Sequence, residues 1–249
     1  MKKCIGILGG MGPEATAYLF SQIIRNTAAR SDQEHIHILI DNRPAIPDRS
    51  AWILGRGEDP LPEMRRSAEL LQRMGADFIL IPCNAAHYFI DALQKSLRIP
   101  VVDMIAAAAE SIKTQYGKGV TCGLLATQGT YHAGLYRQHF AGQGLELLVP
   151  PPQGRETIMS AIYGAAGIKA GNREQPREIL IAAARGLTEQ GARIIIAGCT
   201  EISFVLGEGV LDFTLACPLR ILARHAVTLA GYAVEESPES GKCAFAEDQ

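Results

Sequence analysis

The chain has 249 residues, of which 47% are hydrophobic and 20% charged, with a formal net charge of −2. That length holds one large domain or two of ordinary size, with room for a substantial core. The near-neutral charge gives no electrostatic case for nucleic acid or an anionic membrane, and no apolar run approaches the roughly 18 residues needed to span a bilayer.

In chain order, residues 4–8 read as a first strand. Their apolar run breaks at Gly9-Gly10, too early for a signal-peptide core. Pro13 and Glu14 suit a helix first turn, and a helix is expected over 14–28. A strand at 36–40 ends at Asp41. Residues 42–62, with Pro44, Pro47, Pro60 and Pro62, read as a long loop, a feature more often functional than idle. A helix over 63–73 leads into an apolar strand ending at Cys83, another helix follows Ala86, and 99–103 reads as a short strand before a helix over 104–115. The remainder predicts strand 120–126, helix 131–141, strand 145–149, helices 155–165 and 176–189, a strand ending at Cys199, and a helix over 218–231. The stretch from Glu235, rich in Glu, Ser, Pro and Gly, reads as disordered and carries Cys243 as an exposed thiol.

Two passages nearly repeat. Gly75-Ala76-Asp77-Phe78-Ile79-Leu80-Ile81-Pro82-Cys83-Asn84 is matched by Gly191-Ala192-Arg193-Ile194-Ile195-Ile196-Ala197-Gly198-Cys199-Thr200, with the cysteine eight residues after the glycine both times. Upstream, Gly6-Ile7-Leu8-Gly9-Gly10-Met11-Gly12 parallels Gly123-Leu124-Leu125-Ala126-Thr127-Gln128-Gly129, so the glycine-to-cysteine interval is 77 positions in one half (6 to 83) and 76 in the other (123 to 199). The chain therefore reads as two related α/β halves, each with a thiol at the carboxyl end of a buried parallel strand, where open α/β sheets hold ligands. Two such thiols suit removal of a proton alpha to a carboxylate on one face and its return on the other. A thiol works as acid or base near neutral pH if its pKa is lowered from about 8.5.

Of the six cysteines, Cys4 and Cys122 read as small core residues. No CxxC is present, so free thiols in a cytoplasmic protein are expected. The histidines lack ligand-like spacing with the cysteines, and no metal is expected. His87 either tunes Cys83 or packs structurally. Glu201 either orients a substrate ammonium or stabilises a helix start. Arg49 and Lys169 either clamp a carboxylate or lie at the surface. Gly10-x-Gly12-x-x-Ala15, with Asp41 after the next strand, fits a dinucleotide fingerprint. It leaves the paired cysteines unexplained and is absent from the second half, so both turns are read as amide cradles for substrate carboxylates, with no NAD required.

Taken together, Ile7-Leu8-Gly9-Gly10-Met11-Gly12-Pro13, Asp48-Arg49, Pro82-Cys83-Asn84-x-Ala86-His87, Lys169-Ala170-Gly171-Asn172 and Ala197-Gly198-Cys199-Thr200-Glu201 resemble the aspartate/glutamate racemase family over residues 3–233. The resemblance implies cofactor-independent racemisation of an acidic amino acid between two facing cysteines. It implies an α/β fold of two pseudo-symmetric domains, each a mostly parallel sheet flanked by helices, with the active site in the cleft between them. The expected domains are 1–103 with 212–233, and 104–211, with 235–249 as the tail. A homodimer is implied, with a small-molecule substrate as the other partner. By this likeness Cys83 exchanges the proton of the D-enantiomer and Cys199 that of the L-enantiomer. Arg49 and Lys169 would hold the side-chain carboxylate; Met11 and Gly12 would line the cleft; Asn84, Ala85, Ala86, Thr127, Thr200 and Glu201 would complete the substrate contacts.

Three departures stand out: Ala85 where the family has threonine, a Tyr163–Lys169 stretch about two residues longer, and Cys217-Pro218 where Asp-Pro is common. Two alternatives share the residues: a cysteine-dependent isomerase resembling maleate isomerase, and a dicarboxylate-binding protein with little turnover.

Overall fold

The doubling of the sequence reappears in the order of the strands. The computed structural model describes residues 2–207 and 211–236. Its chain divides into two units. The first holds the described residues up to Ala107 and those from Leu219 onward; the described residues of the second run from Ala108 to Pro218.

In the first unit, β1 (Ile5–Gly9) leads into α1 (Pro13–Asn26), β2 (Ile38–Asn42), α2 (Arg49–Ile53), α3 (Leu61–Arg73), β3 (Phe78–Leu80), a 3-10 turn over Ala85–Phe89, α4 (Ile90–Gln94) and the start of α5 (Met104–Tyr116). The sheet is parallel with order β2-β1-β3. The second unit carries β4 (Thr121–Ala126), α6 (Gln128–Ala133), α7 (Leu135–Gly142), β5 (Glu146–Leu148), α8 (Pro152–Tyr163), α9 (Glu174–Glu189), β6 (Ile194–Gly198), α10 (Thr200–Leu206) and β7 (Thr214–Ala216). Its sheet is also parallel, with order β5-β4-β6-β7. Every residue of β1, β3 and β6 is buried, as the continuous apolar runs require of strands covered on both faces. The second core gathers Leu125, Ile158, Leu180, Leu187, Ile195, Ile202 and Val205. α11 (Pro218–Leu229) follows, and the chain beyond it hydrogen-bonds into the first unit, Lys3 donating to Ala230 and Ala28 to Ala233.

The repeated Gly-Ala has a physical cause. Gly75 and Gly191 stand at φ +100° and +103°, in the left-handed region that ends α3 and α9 without a side-chain penalty. In each half the glycine amide and the following alanine amide turn back onto the helix: Gly75 to Gln72 and Ala76 to Leu71, Gly191 to Thr188 and Ala192 to Leu187. The two alanines then sit under the central strands. A Cβ on Gly6 would come within 2.9 Å of the Ala76 Cβ, and one on Gly123 within 3.1 Å of the Ala192 Cβ. Both glycines of the upstream match are thus kept small by the alanines of the downstream one.

Several expectations need correction. The stretch 42–62 is not structureless: Asp48 accepts a hydrogen bond from the Ala51 amide and starts α2, a short helix that propensity alone does not announce. Residues 99–103 form only a parallel bridge between Val101 and Ile79. Helix 131–141 is broken in two at Gly134, φ +65°. Residues 212–218, assigned from the sequence to the first domain, fall in the second unit, where β7 pairs with β6 from Ile194↔Thr214 to Ile196↔Ala216. Of the tail expected to be disordered, Glu235 donates its amide to Asn26, and residues 237–249, Cys243 among them, lie outside the described residues. No helix among the described residues is long and apolar enough to cross a membrane.

Candidate active site

In the first unit, the chain leaves β3 and turns sharply at Cys83, whose amide donates to the Ile81 carbonyl at 2.8 Å. Cys83, Asn84, Ala85 and Ala86 are all buried. His87 fixes this turn. The Met104 amide donates to its Nε2 at 3.0 Å, so Nδ1 carries the ring proton and donates to the Cys83 carbonyl at 2.8 Å. The ring is therefore neutral and ties the cysteine turn to the start of α5. Of the two roles read from the sequence, these hydrogen bonds, both to the main chain, display the structural one.

Arg49, at the start of α2, is buried rather than at the surface. Its guanidinium donates to three main-chain carbonyls, Ile46 at 3.1 Å, Pro47 at 2.8 Å and Met11 at 3.2 Å. It thereby joins the proline-rich stretch to buried Met11 and the glycine turn. Gly12 precedes Pro13 as the N-cap of α1. One amide of the expected cradle is already committed: Gly10 donates to the Thr16 hydroxyl at 2.9 Å. Asp41, the acid of the dinucleotide fingerprint, is paired with Arg43 at 3.3 Å.

In the second unit, Cys199 is the N-cap of α10. Its thiol donates to Glu201 Oε2 at 2.9 Å, and the Thr200 hydroxyl donates to the same oxygen at 3.0 Å. Lys169, carried by a 3-10 turn over Ile168–Ala170, donates to the other oxygen, Glu201 Oε1. Its ammonium also lies 5.2 Å from the Tyr163 ring centroid, near enough for cation–π attraction. Burial alone would push the Glu201 carboxyl up. The Lys169 charge and the hydrogen bonds it accepts, that of the Cys199 thiol included, outweigh burial and hold it below the usual carboxylate range. Glu201 is thus a buried carboxylate that accepts from a thiol, a hydroxyl and an ammonium. Neither role read for it from the sequence, ammonium ligand or helix stabiliser, includes the thiol.

Thr127 caps α6, accepting from the Thr130 amide at 3.3 Å. Tyr131, which carries no motif in the sequence, braces the same strand end. Its hydroxyl accepts from the Ala126 amide at 2.8 Å and donates to Leu124 at 3.0 Å. Burial raises its pKa, against the lowering effect of the Ala126 amide hydrogen bond and the Arg155 charge. The available signal was its place four residues after Thr127, one helical turn on. Cys217 is buried and hydrogen-bonds Ser203 of α10 at 3.2 Å. Cys122 is a core residue whose thiol burial pushes up to about 12.

The structure thus links Arg49 with Met11, Cys83 with His87, and Lys169 with Glu201, Cys199 and Thr200. Three comparisons with known proteins bear on this arrangement. The chain is 28% identical over 232 residues to the broad specificity amino-acid racemase RacX of Bacillus subtilis, covering 90% of this chain and 96% of that protein. Among solved structures, the aspartate racemase of Picrophilus torridus superposes with a TM-score of 0.81 at 25% identity, covering 94% of this chain and 96% of that one. An aspartate racemase homologue from Pyrococcus horikoshii gives 0.72 at 24% identity, covering 93% and 100%, a likeness of fold. A family model described as Asp/Glu/Hydantoin racemase matches residues 8–226, and the chain belongs to that family.

Proposed function

We propose that this protein is a cofactor-independent racemase that interconverts the L- and D-forms of aspartate, glutamate or a related amino acid, with Cys83 and Cys199 as its two bases. The observation that carries this reading is the matched placement of the two thiols. Each lies buried just past a parallel strand that borders the central strand of its sheet, β3 beside β1 and β6 beside β4. Each is followed directly by the turn that starts a helical segment.

The chemistry needs one thiolate and one thiol. The thiolate takes the α-proton: an S–H bond forms, the C–H bond breaks, and its electron pair stays on the α-carbon, delocalised into the substrate carboxylate. The thiol on the opposite face gives its proton to the same carbon and becomes the thiolate. The configuration inverts, and the two cysteines have exchanged protonation states. Thiol pKa values near 8.5 suit this exchange once the local field favours the thiolate. Arg49, Met11, Gly12, Asn84, Ala85 and Ala86 form the proposed substrate surroundings on the Cys83 side, and Thr127, Lys169, Thr200 and Glu201 those on the Cys199 side. A cytoplasmic homodimer accompanies this reading, as the family resemblance implies.

The test is incubation of the purified, dialysed protein in deuterated water with L-aspartate, L-glutamate and other L-amino acids, followed by NMR and chiral chromatography. Deuterium at the α-carbon with accumulation of the D-enantiomer is the expected result. Failure of every amino acid to exchange its α-proton would contradict the reading.

A further inference from the structure

We infer that Lys169 serves as the counter-ion of Glu201 beside Cys199 rather than as a ligand for a substrate side-chain carboxylate, so that the site accepts amino acids with uncharged side chains. This rests on the racemase reading above and deepens it by naming the substrate class.

Lys169 and Arg49 are the two cations that the sequence offers as clamps for an acidic side chain. Both already serve acceptors of the protein itself. The Lys169 ammonium is bonded to Glu201 Oε1 and lies over the Tyr163 ring. The Arg49 guanidinium donates to the carbonyls of Ile46, Pro47 and Met11. A substrate carboxylate drawing Lys169 to itself would strip the counter-ion from Glu201, a buried carboxylate that is also hydrogen-bonded to the Cys199 thiol. An unpaired buried charge is strongly unfavourable, and here it would arise beside a reacting group.

The converse sets the specificity. A site built around a substrate carboxylate rejects the analogue that lacks it, because its own buried cation is left unpaired. Here the Lys169 ammonium is paired with Glu201, and the Arg49 guanidinium is hydrogen-bonded to three main-chain carbonyls. An uncharged side chain leaves the Lys169–Glu201 pair intact. Lys169 is on this account a positioning residue. It acts on the substrate only through Glu201 and the thiol that Glu201 holds.

Aspartate and asparagine form the matched pair that tests this, since they differ in charge and scarcely in shape. Their α-proton exchange in deuterated water is followed with the wild-type protein, Lys169→Met and Lys169→Arg. Wild-type protein exchanges both amino acids, at rates within about tenfold of one another. Lys169→Met slows both by a similar factor, which lowers kcat while leaving the aspartate-to-asparagine ratio of kcat/KM near its wild-type value, and Lys169→Arg restores a large part of both. Exchange of aspartate without asparagine overturns the inference and leaves the racemase reading standing. A Lys169→Met variant that loses aspartate alone, with the ratio falling on the order of tenfold or more, also overturns it. Exchange of neither amino acid, nor of any other, defeats the racemase reading and the inference together.

Discussion

The residue that ties together the side chains around Cys199 is Glu201, and its ionised state has a measurable consequence. Burial opposes its charge, but Lys169 and the hydrogen bonds from its neighbours hold its folded pKa below the ordinary 4.5. A carboxyl depressed on folding contributes stability that is present above its unfolded value and is lost as pH falls through the folded one. Wild-type protein should therefore lose melting temperature as the pH drops below about 4.5, and Glu201→Gln should lose less over the same interval. Thermal denaturation at stepped acid pH measures the difference; parallel curves would contradict the ionised state. The same substitution leaves Cys199 without its charged acceptor, and kcat should fall on the order of 10²-fold if the thiol loses its aim. The identities of Cys199 and Glu201 were legible in the sequence, and so was their nearness along the chain. Their hydrogen bond was not. It depends on Cys199 capping α10 in an extended conformation, which turns the thiol toward a side chain two residues on. Arg49 was likewise legible as a residue of interest, while its burial was not, because the turn through Ile46 and Pro47 brings two carbonyls to it and the glycine turn a third, that of Met11.

At the scale of elements, the repeat explains which glycines the fold depends on. Gly191 closes α9 in a left-handed conformation with no atom within 4 Å of the site a Cβ would take. Gly191→Ala should thus cost about 1–2 kcal/mol through backbone conformation alone. Gly123 has an unstrained φ but is closed in by Ile195, Leu187 and Ala192 at 2.9 to 3.1 Å. Gly123→Ala should cost about 1–3 kcal/mol through overpacking, and pairing it with Ala192→Gly should restore part of the loss. Urea denaturation of the three variants decides this; a Gly123→Ala protein as stable as wild type would contradict the packing argument. The long apolar runs made β1, β3, β4 and β6 legible, since burial on both faces writes itself into composition. Short elements escaped. α2 is set by the Asp48 cap, and α6 and α7 are parted by one left-handed glycine. β7 is three residues long and declares itself only by pairing with β6. For these, tertiary context outweighs local pattern.

At the scale of the molecule, the two units repeat one plan. In each sheet the first strand of the half lies centrally, the second strand lies on one side of it, and the cysteine strand lies on the other, all parallel. The bridge of Val101 to Ile79 even occupies, in the first unit, the place that β7 takes beside β6 in the second. The repeat read from two pairs of short passages is thus realised strand for strand. The edge at which residues 212–218 belong was the part that the spacing of Gly and Cys did not carry.

The proposed racemase mechanism requires two cysteines, one in each unit, to serve opposite faces of one α-carbon. The most direct measurement is α-deuterium exchange of L-aspartate and D-aspartate, each followed separately, in Cys83→Ser and Cys199→Ser. Both variants should lose racemisation by about 10²-fold or more, and the residual wash-in should be handed: Cys83→Ser retains exchange on the L-enantiomer and Cys199→Ser on the D-enantiomer. Racemisation that survives either substitution at the wild-type rate would contradict the account.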